Sequence, residues 1–131
     1  MLVHTFFIRI CDNYFIFYVF QRRINRKRIT MIKSIGIGFI GGGFITRFHI
    51  QSFIGVRNCE VLGVMSKTEA SAEESASLAR TIGVGQAKVF KTISEMVAHP
   101  DINALWICAP NYTRVEVMEE IVNSIENGKA N

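Results

Sequence analysis

Cysteine and proline are both scarce in this chain, and each scarcity excludes something. The three cysteines, Cys11, Cys59 and Cys108, are odd in number and lack any C-x-x-C spacing. That pattern implies neither a disulfide framework nor a zinc site. Cys59 and Cys108 lie in apolar, strand-like runs, where a small buried hydrophobe is expected rather than a reactive thiol. Such usage fits a reducing, cytoplasmic setting. The two prolines, Pro100 and Pro110, come late, and residues 1–30 hold no proline and no glycine. A long apolar run is also missing. The aromatic peak at residues 14–20 is cut off upstream by Arg9 and Asp12, leaving far fewer than the roughly 20 apolar residues that a spanning helix needs. A secretory signal is not expected, because the basic residues follow the apolar peak and no small-residue cleavage site comes after it.

Excess charge of one sign is absent from most of the chain. The formal net charge is +4, yet residues 1–30 carry six basic groups (Arg9, Arg22, Arg23, Arg26, Lys27, Arg28) against Asp12 alone. The remainder carries nine basic and ten acidic groups. A nucleic-acid surface on the folded part is therefore not supported. With 131 residues there is room for one domain at most, and 49% apolar content is enough for a core. Residues 1–30 read as an N-terminal extension without a fold role, because Met31-Ile32-Lys33 opens directly into the first strand. A weak interfacial membrane anchor through the same residues stays open. Deleting them is expected to leave solubility and nucleotide binding intact or improved.

From residue 31 onward, strand and helix patterns alternate. Strands are expected at about 34–40, 60–66, 87–90 and 103–108, and helices at about 44–54, 70–82, 92–98 and 112–126. Phe44, Ile45, Phe48 and Ile50 are expected to face the sheet. So are Ala72, Ala76, Leu78, Ala79 and Ile82, and in the last helix Val115, Met118, Ile121, Val122 and Ile125. Gly83 and Gly128 are placed as C-terminal caps. Thr92 with Glu95 makes a capping box. Short links between alternating elements argue for a parallel sheet with right-handed crossovers. The fold class is α/β, a Rossmann-type parallel sheet with helices on both faces, ending after the fourth strand–helix unit.

What is abundant is glycine at one place. Gly36-Ile37-Gly38-Phe39-Ile40-Gly41 is a literal G-x-G-x-x-G. Gly41-Gly42-Gly43-Phe44-Ile45-Thr46 matches except for threonine at the third glycine. A phosphate-binding turn must follow a strand and open a helix. The first register would start a helix inside three glycines, each costing about 1 kcal/mol relative to alanine, so the second is preferred. The cofactor candidates there are Gly41, Gly42, Gly43, Phe44 and Ile45, with helix N–H groups aimed at a pyrophosphate. The same glycines would also serve as a bare strand end without a ligand.

The end of strand two lacks a carboxylate. An acidic residue there favours NAD by accepting from the ribose 2′-hydroxyl. Ser66, Lys67 and Thr68 instead offer two hydroxyls and an ammonium, which suit a 2′-phosphate. NADP is therefore expected over NAD, although Lys67 alone would also read as a solvated loop lysine. Strand four ends in Ala109-Pro110-Asn111. Proline forces an exit from the sheet, and Asn111 presents a polar group at the carboxyl edge, either toward a ligand or as a helix cap.

Taken together, three segments resemble the N-terminal domain of the glucose–fructose oxidoreductase, inositol dehydrogenase and rhizopine-catabolism (Gfo/Idh/MocA) family. They are the glycine turn with His49 in the next helix, the run from Asp101 to Asn111, and Asn127-Gly128-Lys129. The resemblance spans residues 31–131 and implies a partial NAD(P)-binding Rossmann domain. It places Gly41, Gly43, Ala109, Pro110 and Asn111 on the cofactor. It also implies hydride exchange with an alcohol or carbonyl carbon of a sugar- or polyol-like substrate. Thr46 and Arg114 depart from the family pattern. The family's Glu-Lys-Pro motif and substrate domain do not occur in the chain, so no catalytic residue and no metal ligand is assigned. Two further readings stand beside this one: a nucleotide-binding regulatory module and a non-functional gene fragment. Strand four is expected to be an exposed apolar edge, prone to aggregation or to pairing with another chain.

Overall fold

A computed structural model describes residues 10–11, 15–19 and 34–129. Four strands rich in Ile, Val, Leu and Phe run parallel: β3 (Ile35–Ile40), β4 (Cys59–Met65), β5 (Lys88–Val89) and β6 (Ile102–Ile107). Between and after them lie α1 (Phe44–Ser52), α2 (Glu69–Thr81), α3 (Ile93–Ala98) and α4 (Arg114–Lys129). Two earlier strands, β1 (Ile10–Cys11) and β2 (Phe15–Val19), join the same sheet antiparallel, giving the order β1-β2-β6-β3-β4-β5.

Alternation along β3 sorts its side chains to two cores. Ile37 and Phe39 pack with Ile50, Val61, Val64, Ala72, Ala76 and Ala79 beneath α1 and α2. Ile40 packs with Ile93, Met96, Leu105, Ile107 and Ile121 beneath α3 and α4. Helices thus cover both faces of the four parallel strands, the arrangement of a Rossmann-type fold.

The small face of α2 forms as its spacing predicts, with Ala72, Ala76 and Ala79 buried. Gly83 follows with φ +76°, and the Val84 N–H closes on the Ala79 carbonyl at 3.1 Å. At the start of α3 the Thr92 hydroxyl accepts the Glu95 N–H at 3.1 Å, and Glu95 accepts the Lys91 N–H at 3.1 Å.

Four expectations are corrected. The buried face of α1 is Thr46 and Ile50, followed by Phe53, at i, i+4 and i+7. Phe44 and Phe48 are 72% and 59% exposed, and Ile45 is exposed with them. The helix phase is set by the small Thr46 fitting against the sheet, and that turns the bulkier residues outward. In α4, Ile121 is buried and Met118 and Ile125 pack partly against the core, whereas Val115 and Val122 face solvent. Gly128 lies within α4 and does not cap it. Finally, β6 is not an open edge. Its outer side pairs with β2 in the register Ile16↔Ile107, Phe17↔Trp106, Tyr18↔Leu105 and Val19↔Ala104. Phe-Ile-Phe-Tyr-Val is a strongly strand-favouring sequence, so the N-terminal segment contributes to the sheet. The Met31 start and the basic cluster fall outside the described residues, whereas most of the apolar peak of the anchor reading is strand β2. Among the described residues, no helix is long and apolar enough to cross a membrane.

His49 packs its ring against Trp106 at 5.4 Å and Phe48 at 5.8 Å, and burial lowers its pKa below the ordinary 6.5. The folded chain therefore favours the neutral ring. That contribution is full above pH 6.5 and is lost as pH falls through the lowered folded value. Thermal unfolding is expected to show a lower midpoint at about pH 5 than at neutral pH, with a smaller drop in His49→Phe. An identical drop in both proteins would remove His49 from this role.

Candidate functional site

The carboxyl ends of β3, β4 and β6 converge on the glycine turn. The Gly41 N–H donates to the Met65 carbonyl at 2.7 Å, and the Cys108 N–H donates to the Ile40 carbonyl at 2.7 Å. Both bonds draw the chain tight as it leaves β3. Gly41 has φ +109°, where an L side chain is strained. A Cβ there would lie 2.9 Å from the Cys108 carbonyl carbon and oxygen. Gly42 presses on α2, where a Cβ would come within 2.6 Å of the Ser71 carbonyl oxygen. Gly43 differs, since a Cβ would meet nothing within 4 Å. Gly36 and Gly38 sit inside β3, facing the Asp101 carbonyl and the Met96 side chain. The turn is therefore Gly41–Gly43, the second of the two registers.

Gly43 is the N-cap of α1, and no side chain caps that end. The first turn holds no acidic residue. Among the described residues, no acceptor takes the N–H of Gly42 or Gly43. The first N–H groups of a helix have no partner within it. Phe44 and Ile45 thus contribute N–H groups at the mouth while their side chains stay exposed. The arrangement is a set of backbone donors at the positive end of a helix dipole, which attracts an anion.

The turn's carbonyls, by contrast, are all engaged. Thr46 is fully buried, and its hydroxyl donates to the Gly41 carbonyl at 2.5 Å. Ser75 is also fully buried and donates to the Gly42 carbonyl at 2.9 Å. Arg47 Nη1 donates to the same carbonyl at 3.1 Å and to Glu74 at 3.0 Å. Sequence reading missed Ser75 and Arg47. A serine among the alanines of a buried helix face was the available signal. Threonine at the third motif position is a latch on the turn. Thr46→Val should leave that carbonyl short of a partner and cost about 1–3 kcal/mol, read as a lower urea midpoint, with Thr46→Ser regaining part of it. An unchanged midpoint in Thr46→Val would show that the latch carries no stability.

On one flank, Ser66 follows β4 with its hydroxyl 2.8 Å from that of Ser71. Lys67 and Thr68 are exposed, and Thr68 precedes α2 without a side-chain cap bond. On the other flank lie Ala109, Pro110 and Asn111, directly after β6. Pro110, not Asn111, occupies the cap position of a short 3-10 turn, Asn111–Thr113. The cap reading of Asn111 is thereby corrected. Arg114 Nε donates to the Ala109 carbonyl at 3.3 Å. Burial pushes the Cys108 thiol up to about 11, against smaller lowering effects of the Thr46 hydrogen bond and the Arg114 charge. The thiol therefore stays protonated at neutral pH. Both flanks lie at the carboxyl edge of the sheet, beside the glycine turn. Among the described residues, no cluster of His, Cys, Asp or Glu is suited to a metal.

The profile of the Gfo/Idh/MocA oxidoreductase family, described as an NAD-binding Rossmann fold, matches residues 35–129. The chain belongs to this family. Among solved structures it is similar to a scyllo-inositol dehydrogenase from Lactobacillus casei with bound NAD(H) and scyllo-inositol. The identity is 25% and the TM-score 0.55, covering 70% of this chain and 26% of that one. It is also similar to a candidate myo-inositol dehydrogenase from Sinorhizobium meliloti 1021, with 26% identity and a TM-score of 0.54 over 70% of this chain and 26% of that one. GenD2 from gentamicin A biosynthesis, in complex with NAD, shares the fold at 18% identity and a TM-score of 0.58, with 78% and 28% coverage. The chain thus spans about a quarter of the length of these relatives. No curated protein matches it. Gfo/Idh/MocA membership makes the chain an oxidoreductase-family NAD-binding domain.

Proposed function

We propose that the Gly41–Gly43 turn and the start of α1 hold the pyrophosphate of NADP, in preference to NAD, as the cofactor half of an oxidoreductase. The observation that carries this reading is the pair of N–H groups at Gly42 and Gly43 that no acceptor takes among the described residues, beside a helix end without a side-chain cap. The open space around Gly43 supports it, because that is where a phosphate needs close approach to the backbone. Ala109, Pro110 and Asn111 flank the nicotinamide half, and Ser66, Lys67 and Thr68 flank the adenosine ribose.

Preference for the 2′-phosphate follows from chemistry at the end of β4. Two hydroxyls and an exposed ammonium stand there in place of a carboxylate, which would repel the phosphate. Bound, the cofactor supplies the hydride. The chain's own groups orient it and offer no charged thiol nearby, since Cys108 stays protonated. In the whole enzyme the reacting partner would be an alcohol or carbonyl carbon of a sugar- or polyol-like molecule. The free thiols of Cys59 and Cys108 suit a reducing compartment such as the cytoplasm. Titration of the chain with NADPH and NADH tests the preference. NADPH should bind more tightly, and Lys67→Glu should lower the NADPH-to-NADH affinity ratio by about ten-fold or more. Tighter NADH binding by the unaltered chain would overturn the preference for NADP.

A further inference from the structure

Resting on the dinucleotide reading above, we infer that Thr46, Ser75 and Arg47 are positioning residues that turn the Gly42 and Gly43 N–H groups toward the bound pyrophosphate. A trans peptide unit is planar, and its C=O and N–H point in opposite directions. The chain has no cis peptide among the described residues. Fixing a carbonyl on one side therefore aims the next residue's N–H at the other.

Two successive peptide units of the turn are fixed in this way. The Gly41 carbonyl is held by the buried Thr46 hydroxyl, so the Gly42 N–H points away from Thr46. The Gly42 carbonyl is held by two donors, the buried Ser75 hydroxyl of α2 and the Arg47 guanidinium of α1. The Gly43 N–H then points away from α2, and a Cβ on the same residue would meet nothing within 4 Å. Glycine peptides reorient easily, and without these contacts the two units would rotate among several orientations. Successive N–H groups held to one side form a concave anion-binding nest. Donors already aimed need no reordering when the anion arrives, and preorganisation of this kind raises affinity. Arg47 adds polarisation, because a cation on the carbonyl oxygen draws electron density from the same peptide unit and makes its N–H a better donor. Glu74 fixes the guanidinium in place at 3.0 Å.

The test uses the full chain, with Arg47→Met, Ser75→Ala and the double variant titrated with NADPH, NADH and inorganic pyrophosphate. A second readout is the amide proton shift of Gly43 in the unliganded protein, which reports the orientation and polarisation of that peptide. Each single variant should weaken all three ligands by about ten-fold, and by the same factor for NADPH and NADH, because they share the pyrophosphate. The double variant should lose more, the Gly43 amide should move upfield, and Arg47→Lys should restore part of the loss. A folded double variant that keeps wild-type affinity and an unchanged Gly43 shift would overturn the positioning role alone. An unaltered chain that takes up none of the three ligands would overturn the dinucleotide reading and this inference together.

Discussion

Gly41→Val is expected to remove most of the stability of the domain. Two independent costs meet at this position. The backbone sits at φ +109°, which costs a residue with a side chain about 1–3 kcal/mol. The new Cβ would also stand 2.9 Å from the Cys108 carbonyl, inside van der Waals contact with backbone that is itself tied to β3 through the Cys108–Ile40 bond. Neither neighbour is the free end of a flexible side chain, so relief requires β3 and β6 to separate at their carboxyl ends. Overlap of this kind adds about 1–3 kcal/mol. Together these approach the ~5–15 kcal/mol that holds an ordinary domain. Urea unfolding followed by tryptophan fluorescence is the readout, since Trp106 sits in β6 against Phe39 at 5.8 Å. A midpoint within error of the unaltered chain would show that the turn is not locked against β6.

Gly43→Val is expected to do the reverse, keeping the fold and losing the ligand. Nothing lies within 4 Å of the added Cβ, and the backbone there is extended, with φ −80° and ψ −169°, a conformation open to valine. The cost in stability is about 1 kcal/mol, that of a poorer helix N-cap. A branched side chain at this mouth would stand where a phosphate must touch the backbone, and NADPH affinity should fall by about a hundred-fold or more. The contrast between the two glycines separates architecture from binding. If Gly43→Val bound NADPH as well as the parent, the open space beside Gly43 would not be the phosphate site.

Much of this arrangement was legible in the residues. Strand and helix alternation, the small-residue face of α2 and the Thr92 cap follow from local patterns that tertiary packing leaves undisturbed. The glycine turn was legible because a helix cannot begin inside three glycines, and the structure places Gly36 and Gly38 within β3. What was not legible depended on helix phase and on long-range contacts. Phe44 and Phe48 look like core residues by hydropathy, yet burial of Thr46 turns them to solvent. Hydropathy alone cannot see a hydroxyl that is buried because it bonds the turn carbonyl. Val115 and Val122 fail for the same reason of phase. Pairing of β2 with β6 joins residues 85 to 91 positions apart, and no local pattern encodes it. The contribution of Ser75 and Arg47 to the turn is likewise a contact between elements, with Ser75 reaching across 33 positions to Gly42.

The most direct measurement is an amide-resolved titration of the full chain with NADPH, following backbone N–H shifts by two-dimensional NMR. Saturable shifts should be largest at residues 42–45, with smaller ones at 66–68 and 109–111, and should vanish in Gly43→Val. A folded chain whose amides at 42–45 do not respond to NADPH or NADH, or respond only as strongly as residues elsewhere, would contradict the assignment of this turn as a dinucleotide site.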